Sequence, residues 1–370
     1  MLTTYELDTL LKWTEKLHWL KIGDDGIPEL YLDNHMMQTF RMCESRGYLD
    51  FVEGYKAKGA HLWFLDFGIA VHKMIEYYYV HRKDQNFDVL EWAGKLSREV
   101  WMKLDIDTYY AKGKPWHHKN YETLGGWLGF SALLLQYAQH FHIDNERFRV
   151  IGAELYFGKG REVLLHDSGT KGAEVAGLRF RLYLSGKIDL LVDDGHNIGP
   201  MDHKTTSAFM GKNPIVTYEV HEGMTGYVYA AKALLRHSYD IYSKELTGHP
   251  DRLTNKIFMN FIQVKPEANP NERFKRTPLF VTDYQLEQYR KRQISTAARI
   301  LQLLIYPNLV PTRNTMACTN YMRHICTYHG VHRQNSPDSE LVTINSQFDL
   351  GPIWDPEDRA NDAVVNIEGM

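Results

Sequence analysis

The stretch "GKIDLLVDDGHNIGPMDHKTTS", residues 186–207, carries charged side chains where a buried strand would carry apolar ones. Asp189 interrupts the apolar run "KIDLLV", and Asp202 and Lys204 stand two residues apart in the next run. Because successive side chains of a strand point to opposite faces, Asp202 and Lys204 are expected to share a face. If the two runs are neighbouring strands, Asp189 lies beside them. A buried carboxylate is costly unless a cation compensates it, so the pattern calls for an explanation.

Hydrophobic periodicity outward from this stretch predicts an α/β fold, with a mixed β-sheet flanked by helices. The segment "FRVIGAELYFG" alternates as a strand does, with Glu154 opposite its apolar face. The first 140 residues are predicted to form a helical layer, and residues 333–370 a polar, loosely ordered tail. Strands are predicted over 148–158, 177–194, 197–206 and 255–265, and helices over 4–20, 34–56, 67–80, 86–142, 222–237 and 282–305.

Composition narrows the functional classes. The 370 residues include 43 Lys and Arg against 46 Asp and Glu, a net charge near −3, which excludes a globally basic nucleic-acid binder but not a local basic groove. No apolar run approaches the roughly 18 residues of a membrane span, and no signal peptide is evident, so a cytoplasmic protein without membrane contact is predicted. The 3 cysteines argue against a disulfide framework and leave thiol or metal chemistry open.

The carboxylates and the lysine allow two interpretations. If Asp189, Asp202, Lys204 and Glu154 converge on one sheet face, they form a hard-oxygen site suited to Mg²⁺ or Mn²⁺. The alternative is a surface salt bridge on a hairpin, the usual role of an isolated Asp-x-Lys pair.

The order of the motifs resembles that of the PD-(D/E)xK nucleases, in particular the RecB-like branch, which includes phage-type exonucleases and CRISPR-associated spacer-acquisition nucleases. "GKID" followed by "DHKTT" is similar to the "GxxD … (D/E)xKT" signature of that branch. "FGIAVH", which ends at His72, resembles its "fGxxxH" helix, and "MTGYVYA" resembles its "Q-x-x-G-Y-x-x-A" helix. The chain departs from the second motif at Gly223, where the branch usually has glutamine.

The resemblance implies a restriction-endonuclease-like core and a metal-dependent phosphodiesterase. Asp189 and Asp202 would hold Mg²⁺ or Mn²⁺ together with the backbone carbonyl of His203, while His72 and Glu154 would complete or orient the shell. Lys204 would lie beside the attacking water and stabilise developing charge. The implied domains are N-terminal helices (1–60), the nuclease core (61–310), a Cys/His segment (311–332) and a polar tail (333–370).

The resemblance also bears on the cysteines. Many RecB-like nucleases hold an iron–sulfur cluster with one cysteine before the histidine helix and three near the C-terminus. Cys43, Cys318 and Cys326 fall at matching positions, and His332 stands where the fourth cysteine would be. The set is predicted to hold a [4Fe–4S] cluster or Zn²⁺; the alternative is three packed thiols without metal.

The expected function is a divalent-metal-dependent deoxyribonuclease, an exonuclease acting on single-stranded DNA or duplex ends. Basic segments with aromatic residues suggest substrate contacts through Trp116, Arg273, Lys275 and Arg276, although such segments are also ordinary solvated surface. Tyr227, in the "MTGYVYA" helix of the resemblance, is a further candidate substrate contact. Because no "GxxxxGK[ST]" phosphate loop occurs, unwinding would need a partner helicase or recombination protein. The alternative function is a non-cleaving, nuclease-fold DNA-binding or scaffold subunit of a recombination or repair complex.

Overall fold

The computed structural model describes residues 3–58, 63–104, 124–169, 173–206, 218, 221–236, 255–264, 272–320, 325–334 and 336–357. The strands are β1 (Leu20–Ile22), β2 (Pro28–Asp33), β3 (Tyr55–Ala57), β4 (Arg149–Phe157), β5 (Val163–Asp167), β6 (Arg181–Asp193), β7 (Ile198–Thr206), β8 (Lys256–Gln263), β9 (Phe274–Phe280) and β10 (Phe348–Leu350).

The helices include two π-helical turns, Leu49–Glu53 and Trp92–Leu96. The α-helices are α1 (Thr4–Thr14), α2 (Asn34–Met42), α3 (Glu44–Tyr48), α4 (Trp63–His81), α5 (Val89–Glu91), α6 (Ser97–Lys103), α7 (Gly126–His140), α8 (Asp144–Arg147), α9 (Glu222–Arg236), α10 (Asp283–Ile305), α11 (Thr315–Asn320), α12 (His329–His332) and α13 (Pro337–Gln347). In the described part of the chain, no helix has both the length and the apolar character that a bilayer crossing requires.

The chain divides into two compact units. Unit 1 comprises Met1–Ala60, Phe157–Gly186 and Glu287–Asn361, and unit 2 comprises His61–Tyr156, Lys187–Leu286 and Asp362–Met370. One change of unit falls between residues 60 and 61, and residues 61–310 contribute to both units.

Among the described residues, unit 2 contains β7, β8, β9, the second half of β6, and most of β4, which also pairs with β6. The second half of β6 pairs antiparallel with β7, β7 runs parallel to β8, and β8 is antiparallel to β9. Alternate residues of β8 face different helices, since Phe258 and Ile262 pack with α4 and α7 while Met259 and Phe261 pack with α9. This mixed sheet with helices on both faces confirms the predicted α/β class.

The predicted apolar stripe of α4 is buried as expected. Val71, Met74, Ile75 and Tyr78 are each at most 4% exposed and join the core of unit 2. Helix α4 therefore has a fixed rotation about its axis, which determines where His72 lies.

Unit 1 contains strands that the sequence analysis did not predict, so the prediction of an all-helical N-terminal layer was incomplete. β1 and β2 form an antiparallel pair, and β2 runs parallel to the first half of β6, with Glu29 opposite Arg181. The pairing of β2 with β6, about 150 residues away, has no local turn signal. The pairing of β2 with β1 does have one, the Asp25-Gly26 turn, which the sequence analysis did not use. β5, antiparallel to β6, was also missed.

The C-terminal segment is more ordered than predicted. Helix α13 begins at Pro337 with Ser336 as its N-cap, and β10 pairs antiparallel with β3. The serine, proline and acidic residues at 336–340 are an ordinary helix-start signal, which the polar composition of the segment obscured.

Candidate metal centre

Three side chains of unit 2, from three different elements, meet at one point. His72 comes from α4, Glu154 from β4 and Asp189 from β6, and one ligand atom of each lies within 4.8 Å of the others. His72 Nδ1 is 3.4 Å from Asp189 Oδ2. The three residues are partly buried, as expected of groups that hold an ion at the edge of a core.

Glu154 is held in an unusual backbone conformation. Its φ is +47°, a left-handed value that a non-glycine residue rarely adopts within a strand. Such a conformation costs on the order of 1–3 kcal/mol and persists only where the surroundings enforce it. Lys187 Nζ lies 3.0 Å from Glu154 Oε2 and fixes the side chain. The left-handed backbone at Glu154 and the ion pair with Lys187 together hold the Glu154 carboxylate near His72 and Asp189.

Asp202 and Lys204 lie side by side on β7. Lys204 Nζ donates to Asp202 Oδ1 at 2.8 Å, as their spacing on one strand face predicts. Asp202 is 1% exposed. Its Oδ2 accepts no well-directed hydrogen bond from the described residues, although Lys204 Nζ lies 2.8 Å from that oxygen too. Asp202 is therefore a buried carboxylate with spare capacity to bind a cation.

The surroundings shift the pKa values of Asp189 and Asp202 in opposite directions. Burial opposes ionisation of Asp189, but His72, hydrogen bonding from His203 and the charge of Lys204 outweigh it and hold the pKa of Asp189 well below its usual range. Burial, reinforced by the Asp189 charge and opposed by Lys204, raises the pKa of Asp202 to about 6. Neighbouring carboxyl groups with divergent pKa values are typical of catalytic sites.

The two cationic groups keep their protons. Burial lowers the pKa of His72, but the Asp189 carboxylate overcomes this effect and raises it to about 9. Burial likewise opposes the charge on Lys204, and Asp202 overrides it, so the pKa of Lys204 is raised above its ordinary value. Without a bound cation, Lys204 is thus positively charged and a hydrogen-bond donor to Asp202.

His221 is a residue near Lys204 that sequence reasoning missed. Its Nδ1 accepts a hydrogen bond from the backbone N–H of Gly223 at 3.1 Å, at the start of α9. A Cβ built on Gly223 would lie 3.0 Å from the His221 ring. Burial and the charge of Lys204 both lower the pKa of His221. The space beside Gly223 is therefore filled by the His221 ring.

His203 contacts Asp189 in a way the sequence did not indicate. Its backbone N–H donates to Asp189 Oδ2 at 2.8 Å. Its imidazole is 2% exposed and lies between Asn260 and Tyr137, with its Nε2 3.1 Å from a polar atom of each. Burial lowers the pKa of this imidazole to about 4, so it is neutral.

The residues predicted to contact substrate differ in how exposed their side chains are. Trp116 lies outside the described residues. Arg273 is 4% exposed and donates to the backbone carbonyls of β8 and its extension, and Arg276 donates to Asp144 and Asn260. These two guanidinium groups are used inside the protein, a correction to the expectation that they contact substrate. Lys275 is exposed on β9, and Tyr227 is half-buried against the core beneath α9.

The four predicted Cys/His ligands all belong to unit 1. Cys318 Sγ lies 3.3 Å from His332 Nδ1, and the backbone N–H of Cys326 donates to the carbonyl of Cys318 at 2.9 Å. Burial and the nearby thiols of Cys326 and Cys43 raise the pKa of Cys318. The three cysteines are buried and form no disulfide. Among the described residues, His72, Glu154 and Asp189 have ligand atoms close enough together to hold a metal ion as they stand. The Cys/His set, which lies entirely within the described residues, does not form such a group.

Comparison with known proteins identifies one family. The family model described as the PD-(D/E)XK nuclease superfamily matches residues 36–331, about four fifths of the chain. No curated protein matches the chain.

Proposed function

The chain belongs to the PD-(D/E)XK nuclease superfamily, and from this premise and the geometry of the site we propose that it is a divalent-metal-dependent DNA nuclease. We assign it to the RecB-like branch and propose that it acts as an exonuclease on single-stranded DNA or duplex ends, with a helicase or recombination protein as partner. The placement of His72 beside Asp189, 3.4 Å apart, supports this branch, because its motif order includes a histidine helix.

The proposal rests on one observation: a group of potential metal ligands lies near the positively charged side chain of Lys204. His72, Glu154 and Asp189 offer an imidazole and two carboxylates within 4.8 Å of one another. Asp202 adds a buried oxygen without a well-directed donor among the described residues. Oxygen-rich donors with one imidazole suit Mn²⁺ and Mg²⁺, so the residues fit a divalent cation.

The chemistry follows from the charges. A bound divalent cation supplies positive charge to the phosphate oxygens and makes water a better nucleophile at neutral pH. Lys204, which keeps its proton, would donate a hydrogen bond to the oxygen on which negative charge develops. Asp202 holds Lys204 by a 2.8 Å hydrogen bond, so this donor is oriented before substrate arrives.

The test is DNA hydrolysis by the full chain with MgCl₂ or MnCl₂ and with EDTA. Lys204→Ala is expected to lower the rate at least about 100-fold, the usual effect of losing one donor to a developing charge. Lys256→Ala is the matched control, because Lys256 pairs with Asp194 at 3.3 Å and takes no part in the site. Metal-dependent cleavage by the wild type that Lys204→Ala leaves undiminished would refute the assigned site.

The same assay separates the finer alternatives. Degradation of linear DNA with circular DNA left intact is expected of an exonuclease, and substrates blocked at the 5′ or 3′ end report polarity. DNA binding without any cleavage in either metal would favour the non-cleaving subunit instead.

We also propose that Cys43, Cys318, Cys326 and His332 hold a metal in unit 1. Three thiols and an imidazole suit a [4Fe–4S] cluster or Zn²⁺, and the 3.3 Å approach of Cys318 Sγ to His332 Nδ1 supports a shared ligand set. Anaerobically purified protein is expected to absorb near 400 nm or to contain stoichiometric zinc, and Cys318→Ser to lose that metal. Colourless, zinc-free protein would overturn this proposal.

A further inference from the structure

A row of buried polar side chains runs through unit 2 and ends at Asp189. Its members are Asp144, Arg276, Asn260 and His203, and the first, third and fourth of these are at most 2% exposed. Buried polar groups are retained only if hydrogen bonds satisfy them, so each link in this row can be followed from donor to acceptor.

The row begins with the ion pair between Arg276 and Asp144, whose relative orientation is fixed by two hydrogen bonds. Arg276 donates to both carboxylate oxygens of Asp144, at 2.6 and 2.7 Å, and Tyr79 also donates to Asp144 through its hydroxyl. A bidentate arginine–carboxylate pair fixes the plane of the guanidinium group. The third nitrogen of Arg276, Nε, is thereby aimed at Asn260.

Arg276 determines how the Asn260 amide is turned. Its Nε donates to Asn260 Oδ1 at 2.5 Å, so the amide NH₂ must point the other way, toward His203. Asn260 Nδ2 lies 3.1 Å from His203 Nε2. Since the amide nitrogen is a donor, Nε2 must be the acceptor. The proton of the neutral imidazole therefore sits on Nδ1.

The other side of the imidazole faces the metal centre. His203 Nδ1 lies 3.6 Å from Asp189 Oδ2, the same oxygen that accepts the backbone N–H of His203 at 2.8 Å. The register explains the meeting, because His203 and Asn260 are opposite each other on β7 and β8, on the sheet face that packs against α4 and α7. The backbone N–H of His203 thus holds Asp189 Oδ2 by a hydrogen bond, and the imidazole Nδ1 faces the same oxygen from just beyond hydrogen-bond distance.

We propose that His203 is a positioning residue for the metal ligand Asp189, and that Asn260, set by Arg276 and Asp144, fixes the Nδ1–H tautomer this requires. The inference rests on the proposed function, since it assigns Asp189 to a metal. Groups that orient metal ligands in this way typically change metal affinity 10–100-fold when removed.

The first measurement needs no variant. Long-range ¹H–¹⁵N spectra of histidine-labelled wild-type protein, with the His203 signals identified by their loss in H203Q, are expected to show a neutral ring protonated on Nδ1. A ring protonated on Nε2 would overturn the inference, whatever the outcome for the nuclease.

The second measurement is Mn²⁺ affinity, by calorimetry or electron paramagnetic resonance. H203N keeps an N–H near the position of Nδ1, whereas H203Q places its amide near Nε2 and leaves Asp189 without the side-chain donor. H203Q is therefore expected to weaken Mn²⁺ binding at least about 10-fold and H203N much less. A packing role alone predicts the reverse order, because glutamine is closer to histidine in volume.

His166, whose Nε2 contacts Ser168 Oγ at 2.7 Å in unit 1, gives the matched control H166Q, for which unchanged affinity is expected. Wild-type Mn²⁺ binding with equal affinity in H203Q would overturn the positioning role alone. Absence of Mn²⁺ binding in the wild type would overturn the proposed function and this inference together.

Discussion

Replacement of Asp144 by asparagine tests the buried ion pair at the head of the polar row. Asp144 is fully buried, and the Arg276 side chain is 10% exposed. Asparagine keeps the shape of the side chain, so no cavity forms. It removes the negative charge and turns an NH₂ toward one of the two guanidinium donors.

The expected loss in free energy of unfolding is about 3 kcal/mol. Removal of one partner from a buried ion pair costs about 3–5 kcal/mol, because the other charge is left uncompensated in the interior. The lower end applies here, because the remaining amide oxygen still accepts one of the two hydrogen bonds, at 2.6 or 2.7 Å in the parent.

Urea unfolding followed by tryptophan fluorescence and circular dichroism measures this difference. Glu91→Gln is the control, because the Lys95–Glu91 pair is more than 60% exposed at both side chains and such helix pairs contribute only about 0.3–0.5 kcal/mol. A loss below about 1 kcal/mol for Asp144→Asn would refute the reasoning, since the pair would then behave like a solvated one.

Two further predictions concern packing and protons. Gly186→Ala is expected to lower the thermal unfolding midpoint, with a cost of about 1–3 kcal/mol, because the new Cβ would lie 2.7 Å from the buried Phe157 ring. Gly94→Ala, where a Cβ meets no atom within 4 Å and the residue lies in the helical turn Trp92–Leu96, should not lower the midpoint, because alanine favours helix over glycine. Equal midpoints for both variants would contradict the packing argument. Mn²⁺ affinity is expected to rise with pH between about 6 and 9, because Asp202 (pKa about 6) and His72 (pKa about 9) must lose protons to bind a cation. Calorimetry in buffers of different ionisation enthalpy measures those protons, and pH-independent affinity without proton release would exclude the two residues as ligands.

The parts of the fold that the sequence predicted are those with local periodicity. The stripe on α4 and the strand β4 both follow from the positions of apolar residues, and the pairing of Asp202 with Lys204 follows from their spacing of two. β2 was missed although Asp25-Gly26 marks the turn from its antiparallel partner β1, whereas its pairing with the remote, parallel β6 has no turn signal.

The site was predictable only in part, because some of its residues carry no local sequence signal. Asp189, Asp202 and Lys204 stand out because charge interrupts apolar strands, whereas His72 and Glu154 were found through the resemblance and the order of its motifs. The positive φ of Glu154 has no sequence signal, because glutamate does not favour that conformation. Arg276 looked like part of a basic surface, and only the fold shows Asp144, 132 residues away in the chain, as its partner.

The most direct test of the metal centre is anomalous diffraction from crystals of the full chain grown with MnCl₂. The account predicts a manganese peak within bonding distance of His72, Glu154 and Asp189, and loss of that peak in Asp189→Asn. A peak elsewhere in unit 2, or none among these three side chains at saturating Mn²⁺, would contradict it.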